Sequence, residues 1–200
     1  MNEDQILVPF FPLSVFLLPG EDIPLQIFEP RYKQLIGEAR AEGIRFVIPF
    51  VIDSEMQKYG CEVRLKQVVA ENSAGRMVII IESVAVVRIT SYIPQLKDKL
   101  YAGGRINYLD PPAPVNSTRL KHFVELYNEQ YDNHFQSCCK GDPITDYDVL
   151  KALNLSSEEK FNFLLMDSTE QRENYLVHQI QFLMMIRKQE QLLGDDFGLN

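Results

Sequence analysis

Three cysteines in 200 residues are too few, and too oddly placed, for a disulfide framework. A reducing cytoplasm is therefore the expected compartment. Long apolar runs are also missing. The longest, such as Met77–Ile81, fall far short of the roughly 18 residues a membrane helix needs. The opening MNEDQ has no basic region and no small-residue cleavage site, so no secretory signal is expected. Basic charge is scarce, with 20 Lys+Arg against 28 Asp+Glu and a net charge of −8. Residues 1–114 carry 12 basic against 14 acidic side chains, and residues 115–200 carry 8 against 14. Phosphate backbones and anionic lipid surfaces both need a basic face. Neither nucleic acid nor membrane is expected as a partner.

Catalytic patterns are missing as well. His122, His134 and His178 form no HExxH or other close ligand spacing, and read as surface or boundary residues. Cys138-Cys139 is an adjacent pair rather than CxxC. Cys61 alternates onto an apolar strand face and reads as a small hydrophobe. Gly103-Gly104 lacks the lysine and hydroxyl residue of a phosphate loop, and no GxSxG elbow is present. Ser156, Ser157 and Ser168 read as caps or loop residues. Glu158-Glu159 suit a helix first turn, where acids complement the macrodipole. No catalytic residue, metal ligand or cofactor site is expected.

What is there is apolar: 46% of residues, with 10% aromatic, enough for a packed core. One stretch, "PFFPLSVFLLPGEDIPLQIFEPRY" (Pro9–Tyr32), is interrupted by five prolines. Proline inside a helix removes a donor and clashes with the preceding turn, so short extended pieces are expected at Ile6–Phe11, Val15–Leu17 and Ile23–Ile27. Pro19-Gly20 forms a turn between them. Pro24 points to an edge or a strand start. Pro30 fits the first position of a helix. Tyr32, Leu35, Ile36 and Ala39 give it one apolar face, and Gly43 stops it.

From Ile44 the period returns to two. Ile44, Phe46, Ile48 and Phe50 alternate, and so do Cys61, Val63 and Leu65. "ENSAG" (Glu71–Gly75) is a turn. "RMVIIIE" and "VAVVRIT" read as two buried strands. "YAGGRINYLD" reads as another, with Gly103-Gly104 at a bulge or bend. Closure into an antiparallel barrel would remove the sheet edges. "DPPAP" (Asp110–Pro114) is a stiff connector. Helices follow, on faces carrying Leu120, Phe123, Val124, Tyr127 and Tyr131, then Tyr147, Leu150 and Leu153. Ser156 with Glu159, and Ser168 with Gln171, have capping-box spacing. Leu176, Ile180 and Leu183 mark a long last helix, with "GDDFGLN" as a frayed tail.

"FFPLSVFLLPGEDIPLQIFEPRYKQLI" closely resembles the N-terminal domain of Lon-type proteases, in the small stand-alone bacterial form. The matching elements are Phe11-Pro12-Leu13, Pro19-Gly20, Pro24-Leu25 and Ile27-Phe28-Glu29-Pro30-Arg31-Tyr32. Gly60 matches a family glycine that opens a strand. Glu82, Arg88 and Ile89 match "xxEGvxRFRI", but Ser83 replaces its glycine and Val86-Val87 its basic-aromatic pair. "EEKFNFLLMDSTEQRENYL" resembles the family's helical half.

The resemblance implies an α+β fold: a PUA-like antiparallel β pseudo-barrel with one packed helix, then a C-terminal helical bundle. The expected divisions are 1–110, a connector at 111–116, and 117–200. It further implies a non-enzymatic module that binds unfolded polypeptide or a partner protein, as an adaptor in protein quality control. The ATPase and Ser-Lys protease motifs of full Lon proteases are absent from this sequence. Extended apolar polypeptide would lie in a crevice between barrel and bundle, or add to a strand edge, against Phe28, Arg31, Tyr32 and Phe50. In a purely structural reading, Glu29, Arg31 and Tyr32 fix the strand-to-helix junction. An RNA-binding PUA-like protein is the alternative, and a hydrolase using Cys138 or His134 a third reading.

Overall fold

Extended segments dominate residues 6–108. In the computed structural model, which describes residues 6–131, 135 and 143–197 with side chains to 192, this stretch forms six strands and one helix. They are β1 (Ile6–Pro9), β2 (Asp22–Ile27), α1 (Pro30–Glu42), β3 (Phe46–Ile52), β4 (Glu55–Glu71), β5 (Met77–Ile93) and β6 (Gly103–Tyr108). The sheet order is β1-β6-β5-β4-β3, with β2 also on β5, and every strand pair is antiparallel. Beyond β1 the chain runs parallel to β3. The Phe11 N–H donates to the Val47 carbonyl (2.8 Å), and the Val51 N–H donates to the Leu13 carbonyl (3.0 Å). One segment thus touches both ends of the strand order.

Several local readings change. "RMVIIIE" and "VAVVRIT" are one continuous strand, β5, because Ser83 between them is buried and tied down. Its hydroxyl donates to the Leu17 carbonyl (3.3 Å), and its own carbonyl accepts from the Gly20 N–H (2.8 Å). Residues 15–17 are loop rather than strand; the Leu17 N–H donates to Cys61 Sγ (3.4 Å). The third strand begins at Phe46, not Ile44. Gly60 does not open a strand but lies inside β4, where a Cβ would overlap the Ile48 carbonyl oxygen. At Gly104 a Cβ would meet the Phe10 ring at 2.6 Å. The nearby irregularity in pairing lies on the opposite strand, between Ile89 and Ser91.

α1 has the expected bounds. Pro30 occupies its first turn, and Gly43 ends it at φ 69° in the left-handed region. Tyr32, Leu35, Ile36 and Ala39 pack with Phe11, Phe46, Ile79 and Ile81 in the main core. A second cluster joins Val8, Phe10, Val47, Val87 and Ile106.

The contacts divide the chain into two compact units, Met1–Asp110 and Pro111–Asn200. The second opens with residues 113–115 paired antiparallel to 144–146: the Val115 N–H donates to the Ile144 carbonyl (2.8 Å) and the Asp146 N–H to the Ala113 carbonyl (2.9 Å). Among the described residues its longer helices are α2 (Thr118–Gln130), α3 (Asp146–Ala152), α4 (Ser157–Leu164) and α5 (Thr169–Phe197). α2 buries Leu120, Val124 and Tyr127. It meets α5 where the Tyr131 hydroxyl donates to the Met184 carbonyl (3.0 Å) and Glu173 accepts from the Asn116 and Ser117 N–H groups (3.1 and 3.0 Å). Leu176 and Ile180 of α5 are buried, while Leu183 is only half-buried. Of the expected tail "GDDFGLN", residues 194–197 continue α5 and 198–200 lie outside the described residues. Among the described residues no helix is long and apolar enough to cross a membrane.

Candidate functional site

β2 shows a clean alternation. Ile23, Leu25 and Ile27 turn toward the core, while Asp22, Pro24 and Gln26 face out. Pro24 has no N–H to give, which suits a position opposite Ile80 where the antiparallel ladder leaves the β2 N–H pointing away from β5. Among the described residues β2 has a strand partner on one side only.

The outward face of β2, β5 and β4 is built in rows. Pro24, Ile80 and Gln67 form one, and Gln26, Val78 and Ala70 the next. Phe28 continues this face just beyond β2 with 61% of its surface exposed. It borders a depression of about 420 Å³ lined also by Gln26, Glu71, Asn72, Arg76 and Val78. Glycine and asparagine shape the rim: Gly75 takes φ 67°, and Asn72 Oδ1 accepts from the Ala74 and Arg76 N–H groups (3.0 and 2.9 Å). α1 grips the same rim, with Lys33 donating to the Ala74 carbonyl (2.7 Å) and Arg40 paired to Glu71 (3.2 Å). The other end of the face is charged. Arg64 pairs with Glu82 (2.9 Å), and Lys66 with Asp22. The Asp22 carboxylate holds the Lys66 ammonium above the ordinary lysine value, outweighing desolvation.

Of the four expected contact residues, only Phe28 lines this depression. Arg31 is exposed, pairs with Glu29 (2.7 Å), and lies 4.6 Å from the Tyr32 ring centroid. Tyr32 is 8% exposed and stacks on Phe11 at 3.9 Å. Burial pushes its phenol pKa up, partly offset by the Arg31 charge. The junction is thus fixed by ion pairing and stacking. Phe50 is 1% exposed, edge-on to Phe16 at 5.5 Å. Both rings are enclosed by the core, so a ligand reaches them only through the residues that cover them. Val86 and Val87 are buried too and present nothing to solvent.

His122 and His178 are exposed on helices, and among the described residues no cluster of His, Cys, Asp and Glu could hold a metal. His134, Cys138 and Cys139 lie outside the described residues. Two surface features escaped the sequence reading. One is the outward face of β5, where Val78 and Ile80 are hidden in a run apolar on both faces. The other is a row of exposed side chains on α5, Phe182, Met185 and Leu192; its i, i+3 start was legible, but its partner face was not.

The architecture has known counterparts. It is similar to the crystal structure of a Lon N-terminal domain protein from Xanthomonas campestris, with a TM-score of 0.66 and 20% identity over 86% of this chain and 98% of that one. It is similar also to the N-terminal domain of Lon protease from the Mycobacterium avium complex, with a TM-score of 0.60 and 15% identity over 88% and 98%. At these identities the likeness establishes the fold alone. No curated protein matches the chain significantly. The sequence over residues 7–182 matches the family described as the ATP-dependent protease La (LON) substrate-binding domain, and the chain belongs to that family.

Proposed function

We propose that this protein is a non-catalytic recognition module that binds exposed apolar segments of unfolded or partner polypeptides through the outward face of β2, β5 and β4. The observation that carries this reading is Phe28. A large aromatic ring held 61% exposed beside a depression of about 420 Å³ costs solvation and contributes little to the core. Val78 and Ile80 extend the apolar surface, and the open side of β2 offers backbone groups to an extended client. Arg31 and Tyr32 follow Phe28 at the junction, and Tyr32 packs in the same core cluster as Ile27 and Ile79 beneath the face. Membership in a substrate-binding family agrees with this role. In the cell it would act in the cytoplasm as an adaptor for protein quality control.

We propose likewise that strands β1–β6, with the parallel contact of residues 10–13 on β3, make up a PUA-like pseudo-barrel, and that the helices described beyond residue 117 make up a bundle reached through 111–116.

The test is binding of a labelled, permanently unfolded polypeptide, followed by anisotropy. Phe28→Asp should weaken binding about tenfold, as expected when an interface anchor worth more than about 1 kcal/mol is lost, with the thermal midpoint unchanged. Equal binding by wild type and variant would place the client elsewhere.

A further inference from the structure

β4 and β5 part company at one end. Their pairing stops at Tyr59 opposite Arg88, although β4 extends back to Glu55 and β5 on to Ile93. Past that point β5 is paired to β6 alone, and the first residues of β4 to β3. A groove of about 470 Å³ opens between the diverging strands, within the size range of ligand clefts. Met56, Gln57 and Lys58 form one wall; Arg88, Thr90 and Tyr92 are on the other. It shares no lining residue with the Phe28 depression.

The basic side chains of this groove lack the acidic partners that several other cations of the unit have. Arg31, Arg40, Arg45, Arg64, Lys66 and Lys99 each hold a carboxylate. Lys58 and Arg88 pair with none among the described residues, and no acidic side chain lines the groove. Two cations without an acidic partner among the described residues thus line one groove, in a chain whose net charge is −8. Tyr92, 48% exposed and stacked on Phe10 at 6.4 Å, adds a rigid apolar surface.

We propose that this groove takes an extended segment of a partner polypeptide that carries acidic side chains. Half of the backbone groups of residues 89–93 face away from β6, so an added strand would find hydrogen-bonding partners there. Side chains of that strand alternate between its two faces: Lys58 shares a face of β4 with Met56, and Arg88, opposite Tyr59, lies on the other, so carboxylates on either face meet a cation. Nucleic acid fits less well. Its affinity grows with the number of phosphates neutralised, and two cations on an acidic protein supply little. It also makes no use of an open strand edge.

The experiment measures anisotropy of short labelled peptides with the full-length protein at low salt. One alternates glutamate and valine, and a second replaces each glutamate by lysine. A third is the acidic peptide N-methylated at alternate positions. The acidic peptide should bind, the lysine peptide at least tenfold more weakly. The double variant Lys58→Glu/Arg88→Glu, whose sites are exposed, should lose about tenfold while keeping the wild-type thermal midpoint. N-methylation should cost at least as much. Phe28→Asp should leave this binding unchanged, which separates the groove from the Phe28 face. Equal binding of both charges, indifference to the double variant, tolerance of N-methylation, loss on Phe28→Asp, or Arg88-dependent binding of single-stranded RNA in place of peptide would each overturn the proposal.

Discussion

Glu38 lies on the polar side of α1 and gathers three donors. Lys99 reaches it at 2.7 Å, the Tyr101 hydroxyl at 2.5 Å and Gln34 at 3.1 Å. Burial pushes its carboxyl up, but these hydrogen bonds outweigh it and hold the group below the ordinary glutamate value. The same contact, with burial, raises the Tyr101 phenol, which stays protonated as the donor. A carboxylate with a lowered folded pKa stabilises above its unfolded value, about 4.3, and loses that contribution as pH falls through the folded value. Glu38→Gln should therefore cost about 1–2 kcal/mol near neutrality. The gap to wild type should narrow below about pH 4. Urea midpoints at both pH values check this, and an equal loss at each would show that charge is not the cause. None of this was legible beforehand, because Lys99 and Tyr101 lie more than sixty positions away along the chain. The EPRY junction was legible, since Glu29, Pro30, Arg31 and Tyr32 act on neighbours and their spacing states their geometry.

Elements follow the same rule: local chemistry reads well, and pairing partners read poorly. Ser156 and Glu159 form the expected reciprocal capping box. Ser168 delivers half of one. Its hydroxyl accepts from the Gln171 N–H (3.2 Å), but Gln171 turns to the Asp167 N–H (3.2 Å). A third box went unread, because Asp148 rather than Glu or Gln answers Thr145. Burial raises the Asp148 carboxyl, but hydrogen bonds from Thr145 and Lys151 bring it below its ordinary value. Thr145 is part-buried whereas Ser156 is exposed. Thr145→Ala should therefore cost about 1–2 kcal/mol and Ser156→Ala about 0.5–1 kcal/mol. Urea denaturation orders them, and a larger loss at Ser156 would reverse the argument. β5 shows why the candidate face stayed hidden. Five apolar residues in a row carry no period, so only the registers with β2 and β4 reveal which two look outward.

At the scale of the whole molecule, the decisive fact is where the cores close. Both apolar clusters of the first unit are built from residues 8–106, and every strand pairing lies within residues 6–108. Composition could suggest two regions of different period, but which residues enclose which core depends on pairings such as Ile6 with Ile106, set by the folded sheet. A segment of about 110 residues is a common size for an independent domain, and its two apolar clusters are closed by its own residues. Residues 1–110 produced alone should give a β-type far-ultraviolet spectrum. They should unfold in one urea transition, with a slope of about 1–3 kcal/mol per molar. The converse result is equally informative. A fragment that shows no cooperative transition would mean that residues 111–200 supply part of the first unit's stability, because its own hydrogen bonds and core leave no other source for the deficit.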